Sequence, residues 1–259
     1  MRDNPVKRKL LAAEVSFGTF AFEFDTTGLG RIAASAGAEF MIFDMEHTGW
    51  SIERVRTLLA TTRSEDIVPL VRVPAADYQF LARVLDMGAM GIMIPMVETL
   101  AQARTIVDST RYPPEGRRGT AMGISHDDYE GGRLVEKQQS ANRERLVIAQ
   151  IETAKGLDNV EEIGALDGID VLWVGQSDLT TSLGIPGQFD HPTFLGALDR
   201  IAEVARKNGK AAGYMAMSVE EGVSLIERGF RAIAYSGDLY IYKDALAAGL
   251  RGLRERTAG

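Results

Sequence analysis

The chain contains no cysteine in its 259 residues and only three histidines. The first absence excludes disulfides and thiolate metal sites, and it suits a reducing cytoplasm, where the protein is expected to work. No apolar run approaches the length needed to cross a bilayer, and Met1 to Glu14 carries basic residues without the apolar core of a secretory signal. Excess positive charge is also missing. A net charge of −7 with both signs interspersed argues against a nucleic-acid partner or an anionic membrane surface. Nor is there a glycine-rich phosphate loop after the first apolar run, where Phe22-Glu23-Phe24-Asp25 stands instead.

What is present is apolar sequence in a regular rhythm. Hydrophobic residues make up 45% of the chain, enough core for one barrel or two small domains. Apolar, β-branched or aromatic runs recur near residues 14–22, 40–46, 67–73, 91–96, 146–152, 170–176, 210–216 and 231–237. Helical patterns lie between them. Ile52, Val55 and Leu59 share a face, as do Phe80, Leu81, Val84 and Leu85 after an Asp77 cap. Ser218 followed by Glu221 matches a capping box for a helix running to about Arg228. Gly37, Gly88, Gly168 and Gly229 stand where helices should end in a left-handed residue. Strands alternating with helices eight times predict an α/β protein, a (β/α)8 TIM barrel in one domain over 1–259, rather than an open doubly wound sheet.

One connection breaks the rhythm. About fifty residues separate the run ending near Met96 from the one starting near Leu146, far beyond an ordinary crossover. Glu98 to Thr110 reads as the expected helix. Arg111-Tyr112-Pro113-Pro114-Glu115-Gly116-Arg117-Arg118-Gly119 is too rich in proline and glycine to be regular. His126-Asp127-Asp128-Tyr129 follows, then a polar helix over Arg133 to Arg145. The 111–130 segment is expected to act as a lid or a subunit contact, against the alternative of a mobile surface loop, and His126 is expected to be a solvated loop residue rather than one lining the entrance.

Charged groups close several strands, and in a barrel the C-terminal strand ends converge on one mouth. Alternation puts Gln150 and Glu152 on the face of Leu146 and Ile148, and puts Asp44 and Glu46 opposite Met41, Phe43 and Met45. Glu152 and Asp178 are the metal-ligand candidates: carboxylates without cysteine select Mg²⁺ or Mn²⁺, with Co²⁺ as a further candidate. Each could instead simply cap its following helix. Asp44 with His47 suggests an imidazole oriented by a carboxylate, and Arg72 could steady a developing enolate oxygen or be a plain ion pair. His191, before Pro192, reads as a satisfied structural histidine. A Schiff-base route needs a lysine at a strand top. Lys155 belongs to the next helix and Lys210 lies at the wrong end of its strand.

At these residues the sequence resembles a known family. Asp44-Met45-Glu46-His47, Arg72, Arg111-Tyr112-Pro113-Pro114 through Arg118-Gly119, Gln150-Ile151-Glu152-Thr153 and Gly175-x-x-Asp178-Leu179 look like the HpcH/HpaI aldolases, from about Val15 to Leu253. These are metal-dependent pyruvate aldolases, such as the 4-hydroxy-2-oxoheptanedioate and 2-dehydro-3-deoxyglucarate enzymes. The resemblance implies a modified TIM barrel and a homo-hexamer exchanging a C-terminal helix, roughly Leu239 to Arg256. It implies that Glu152 and Asp178 hold the divalent metal and that Arg72 contacts the pyruvate keto oxygen. His47 with Asp44 would handle the hydroxyl proton, and Gln150 would support the metal's water shell. Backbone amides of Ser177 and Asp178 would hold the substrate carboxylate, and Asp86 would reach the His47 site of a neighbouring subunit.

The chain departs from the family at Gly175-Gln176-Ser177-Asp178-Leu179, where members often read Gly-Pro-x-Asp-Leu, and after Gly119, which puts the aldehyde acceptor in doubt. The expected reaction is reversible cleavage of a 4-hydroxy-2-oxo acid to pyruvate and an aldehyde through a metal-stabilised pyruvate enolate. Alternatives are an oxaloacetate decarboxylase, a citrate-lyase-type acyl-CoA lyase, and a barrel that binds a small acid without turnover. An acyl-CoA substrate would need a basic pocket that the sequence does not show.

Overall fold

The computed structural model describes residues 1–257. Its eight apolar runs form β1 (Ser16–Ala21), β2 (Phe40–Asp44), β3 (Val68–Arg72), β4 (Gly91–Ile94), β5 (Leu146–Ile151), β6 (Val171–Val174), β7 (Ala211–Ala216) and β8 (Ala232–Gly237). They pair in parallel in sequence order, and β8 returns to β1, closing a (β/α)8 barrel. Every strand falls within two residues of its expected run.

Strand alternation sorts the core into two layers. Phe40, Ile42, Val68, Leu70, Leu146 and Ile148 fill the barrel interior. Their neighbours Met41, Phe43, Val71, Val147 and Ala149 face outward, where the helices cover them. The period of two therefore carries Asp44, Arg72 and Gln150 inward at the top of β2, β3 and β5, each almost wholly buried. Asp44 and Arg72 are register partners on adjacent strands.

The helices that lead into and out of this mouth start where side chains can cap them. Ser51 caps α3 (Ile52–Thr61), the third helix, and Asp77 caps α4 (Tyr78–Asp86), the fourth. Ser218 caps α11 (Val219–Glu227), but Glu221 accepts from the Met217 amide instead of closing a reciprocal box. The reciprocal box is at Thr99 and Gln102, opening α5 (Leu100–Thr110). Gly37, Gly88, Gly168 and Gly229 all have positive φ, as expected of residues that end helices.

The long connection is anchored along its length. The Tyr112 amide donates to Asn142 Oδ1 and its carbonyl accepts from Asn142 Nδ2, which ties it to α6 (Leu134–Glu144). Gly119 donates to the Tyr78 hydroxyl at 2.8 Å. Arg118 is buried over the Tyr112 ring and pairs with Asp86 at 2.5 Å. His126 is not the solvated loop residue expected: it is buried, with Nε2 against the Ala121 carbonyl at 2.7 Å, and burial lowers its pKa. The local fold explains this, since Asp127 accepts from the Gly123 and Ile124 amides and turns the segment inward.

The last helix, α12 (Asp238–Thr257), starts at the barrel rim and then leaves it. Ile241, Tyr242, Leu246, Leu250 and Leu253 are all exposed. Beside its base lies an apolar groove of about 510 Å³, lined by Phe17, Phe24, Ile32, Met41 and Tyr242 among others. Among the described residues, no helix is long and apolar enough to cross a membrane.

Candidate active site

A cavity of about 300 Å³ opens at the C-terminal ends of the strands, lined by His47, Arg72, Gln150, Ser177 and Asp178 together with four aromatic rings. Its first element is an ion-pair cluster. Arg72 Nε donates to Asp44 Oδ1 at 2.6 Å, and Nη1 lies 3.2 Å from Glu46 Oε2. The guanidinium also stacks over the Phe20 ring, 5.4 Å from its centroid. A fully buried carboxylate such as Asp44 needs several donors to offset lost hydration. It takes the Glu46 amide at 3.1 Å and the His47 amide at 3.0 Å in addition to Arg72.

This corrects the expected Asp44–His47 arrangement. Asp44 binds the backbone of His47, not its imidazole, because both carboxylate oxygens are already committed to backbone amides and Arg72. The carboxylate nearest the ring is Glu46, with Oε2 3.8 Å from His47 Nε2. The imidazole itself is largely exposed at the mouth. Glu46 was legible as a residue on the face of Asp44, yet nothing in the sequence singled it out.

The second element is a buried carboxylate across the mouth. Glu152 follows β5 and accepts from the Met96 amide at 2.6 Å, and Gln150 donates to its other oxygen. Met96 has φ 54°, a left-handed conformation that is strained for a side chain of this size and is held by that bond. Burial pushes the Glu152 carboxyl up to about 7, and the nearby Glu46 and Asp178 charges add to the effect. Glu46 is also raised, chiefly by burial, with Arg72 opposing the rise.

These residues fit a hard divalent metal. Gln150 Oε1 is buried without a hydrogen-bond partner, and Glu46 Oε2 has only its ion-pair contact with Arg72. Gly175 keeps the pocket open: a Cβ there would stand 2.2 Å from Glu152 Oε2 and 2.7 Å from Gln150 Nε2. A raised carboxyl among other carboxylates is relieved by a cation. Among the described residues no three His, Cys, Asp or Glu side chains gather closely enough to hold an ion. A metal held by Glu152 and Asp178 alone would keep positions for water and substrate oxygens, because a hard divalent ion takes roughly six or more oxygen ligands.

Asp178 is the third residue of α9 (Gln176–Ser182), whose N-cap, Gly175, has no capping side chain. The first-turn amides of Ser177 and Asp178 stand at the cavity, where a carboxylate would be favoured. Gln176, in place of the proline common in the family, donates to the Met215 carbonyl and bridges the α9 start to β7.

Asp86 is not at this cavity. It ends α4 and is held by Arg118 beneath the long loop. Lys155 pairs with Glu98, and Lys210 donates to the Leu166 carbonyl, so neither lysine reaches the mouth. His191 caps α10 (Pro192–Lys207) through Nδ1, as a structural histidine should. Sequence reading missed the aromatic wall of Phe20, Phe22, Trp173 and Tyr240, although the alternation of Phe20 and Phe22 in and beyond β1 was a readable signal.

Comparison with known proteins places this geometry. Residues 24–245 match the family model described as HpcH/HpaI aldolase/citrate lyase. The 2-keto-3-deoxy-L-rhamnonate aldolase of Escherichia coli (strain K12) is 32% identical over 94% of this chain and 90% of that protein. The crystal structure of an HpcH/HpaI aldolase from Desulfitobacterium hafniense DCB-2 is 30% identical with a TM-score of 0.92, covering 96% of each chain. A citrate synthase structure is 26% identical with a TM-score of 0.88, covering 98% of each chain. The chain therefore belongs to the HpcH/HpaI aldolase/citrate lyase family and is an enzyme of that family.

Proposed function

We propose that this enzyme is a class II pyruvate aldolase that reversibly cleaves a 4-hydroxy-2-oxo acid to pyruvate and an aldehyde. The observation that carries this reading is that the cavity is lined by Arg72, an open imidazole and Asp178, with the buried Glu152 directly behind its Gly175 and Gln150. Glu152 and Asp178 would hold a divalent ion, Mg²⁺ or Mn²⁺ with Co²⁺ as a further candidate. When bound, such an ion supplies Lewis-acid polarisation of the 2-oxo acid. Gln150 fixes the Glu152 carboxylate and offers its free oxygen to the ion's water shell.

The chain's own groups account for the remaining steps. Arg72, aimed by Asp44 and Glu46, donates to the keto oxygen where negative charge develops as the C3–C4 bond breaks. The Ser177 and Asp178 amides orient the substrate carboxylate. His47 accepts the proton of the C4 hydroxyl, directly or through one water, with Glu46 as its nearest carboxylate. Asp44 acts as a positioning residue that holds Arg72 and the His47 backbone. Likeness to a citrate synthase favours oxaloacetate chemistry as a second reading. An acyl-CoA form of it finds little support, because Arg72 is the only lysine or arginine among the described residues lining the cavity. A barrel that merely binds an acid would have no use for the open imidazole.

We further propose a homo-hexamer in which α12 is exchanged between subunits. Its exposed apolar residues and the open groove beside its base support this reading. Asp86 would then approach His47 only from a neighbouring copy, since within one chain it is held by Arg118 away from the cavity.

Four outcomes are expected. EDTA should abolish pyruvate release and a divalent ion restore it, while Glu152→Gln or Asp178→Asn should remove activity without unfolding the barrel; full turnover by metal-free enzyme refutes the mechanism. His47→Ala should slow cleavage by roughly two to four orders of magnitude, measured as kcat, while calorimetry still detects pyruvate binding; an unchanged kcat removes His47 from the reaction. The raised Glu152 carboxyl should make the metal-free protein pH-sensitive. Its folded pKa of about 7 lies above the ordinary value of 4.5, so the stability it contributes is fully present below 4.5 and lost as pH rises to about 7. Against Glu152→Gln, denaturation curves should show that relative loss, about 3 kcal/mol at 1.4 kcal/mol per pKa unit; parallel pH profiles would contradict the burial assigned to Glu152. Sedimentation should show an oligomer that loses activity on truncation of α12, and a fully active monomer would refute the exchanged helix.

A further inference from the structure

Part of the cavity is lined by aromatic rings that the proposed chemistry does not use. Phe20 and Phe22 stack with centroids 5.1 Å apart and planes 3° from parallel. Trp173 packs T-shaped against Phe20 at 5.9 Å, and Tyr240 packs T-shaped against Phe22 at 6.1 Å and 73°. Phe20 and Trp173 are buried props, whereas Phe22 and Tyr240 are only partly covered and present ring surface to the cavity. The ladder begins over Arg72, so it runs from the position assigned to the keto oxygen outward to the mouth.

The chain makes room for these rings and fixes them. A Cβ at Gly237 would lie 2.5 Å from Phe22 Cε2, and one at Gly213 would lie 2.2 Å from Trp173 Cε3. The buried Asp238 carboxylate accepts from the amides of Phe22 at 2.9 Å, Glu23 at 3.0 Å and Phe24 at 2.7 Å. It also accepts from the Leu239 amide at 2.8 Å. One side chain thus locks the segment carrying Phe22 to the first turn of the helix carrying Tyr240. Pre-organised rings of this kind bind a flat apolar group at small entropic cost.

Resting on the aldolase reading, we infer that Phe22 and Tyr240 form the aldehyde subsite and select a neutral aromatic aldehyde over a polyhydroxylated or anionic one. The ring faces of Phe22 and Tyr240 offer sugar-like hydroxyls no full hydrogen bond in exchange for lost water. A terminal carboxylate finds no further cation there, since Arg72, the only lysine or arginine among the described residues lining the cavity, is assigned to the keto oxygen, and Glu23 at the rim repels it. In the synthetic direction pyruvate C3 gives up a proton and bonds to the aldehyde carbon, and the former carbonyl oxygen takes up a proton. Asp238 acts as a positioning residue for the subsite.

The test measures pyruvate addition to benzaldehyde, glyceraldehyde and succinic semialdehyde with the metal-loaded enzyme, alongside deuterium exchange at pyruvate C3. Benzaldehyde should have a kcat/KM at least about tenfold above either competitor, the discrimination an apolar pocket can supply. In Phe22→Ser and Tyr240→Ser the benzaldehyde-to-glyceraldehyde ratio should fall about tenfold, with the loss mainly in the benzaldehyde KM. Phe22→Leu, which keeps apolar bulk but not the flat face, should fall between. A ratio measured on one sample is insensitive to partial misfolding. Exchange at C3 together with a preference for glyceraldehyde or succinic semialdehyde, or with an unmoved ratio in both serine variants, overturns the aromatic subsite and leaves the aldolase reading standing. Absence of C3 exchange in the loaded enzyme overturns both.

Discussion

The mouth of this barrel depends on one buried guanidinium. Arg72 is held between Asp44 and Glu46 at the end of three consecutive commitments: an apolar strand below it, a carboxylate beside it and an aromatic ring against its face. Such a cluster is costly to desolvate, and losing one partner leaves the other charge buried and unpaired, typically at 3–5 kcal/mol. Asp44 spreads the cost by also accepting from the Glu46 and His47 amides, so the turn after β2 and the guanidinium form a single unit. The position of His47 at the rim follows from that turn.

Across the cavity the logic is reversed. Glu152 is a buried carboxylate with amide donors but no cation, and Glu46 and Asp178 make its charge less welcome. The left-handed backbone at Met96 and the missing side chain at Gly175 are local concessions to it. Strain and unmet polarity gathered at one point mark a functional site, and a bound cation would relieve them. The strand ends thus bring together a guanidinium paired with carboxylates and a buried carboxylate that has hydrogen bonds but no paired cation among the described residues.

Strands were legible because period-two alternation and β-branched runs are local signals, and each was found within two residues. Helix caps at Asp77 and Ser218 were legible for the same reason, whereas the Ser51 cap was not singled out. Convergence of Asp44, Arg72, Gln150 and Glu152 followed from the barrel once eight units were counted. Partner choice was not legible. That Asp44 would bond the His47 amide, that Glu46 would stand beside the imidazole, and that His126 would be buried all depend on turn geometry and long-range packing. The aromatic ladder joins β1, β6 and α12, which lie far apart in sequence, and no local pattern announces such a meeting.

The central claim is carbon–carbon cleavage of a 4-hydroxy-2-oxo acid at this mouth. It is tested most directly by following pyruvate and aldehyde together, in a coupled assay with the metal-loaded enzyme and a panel of 4-hydroxy-2-oxo acids that differ only in the group beyond C4. The account predicts equimolar pyruvate and aldehyde from at least one member of the panel. Pyruvate formed from oxaloacetate with carbon dioxide, and no aldehyde from any member, would contradict it.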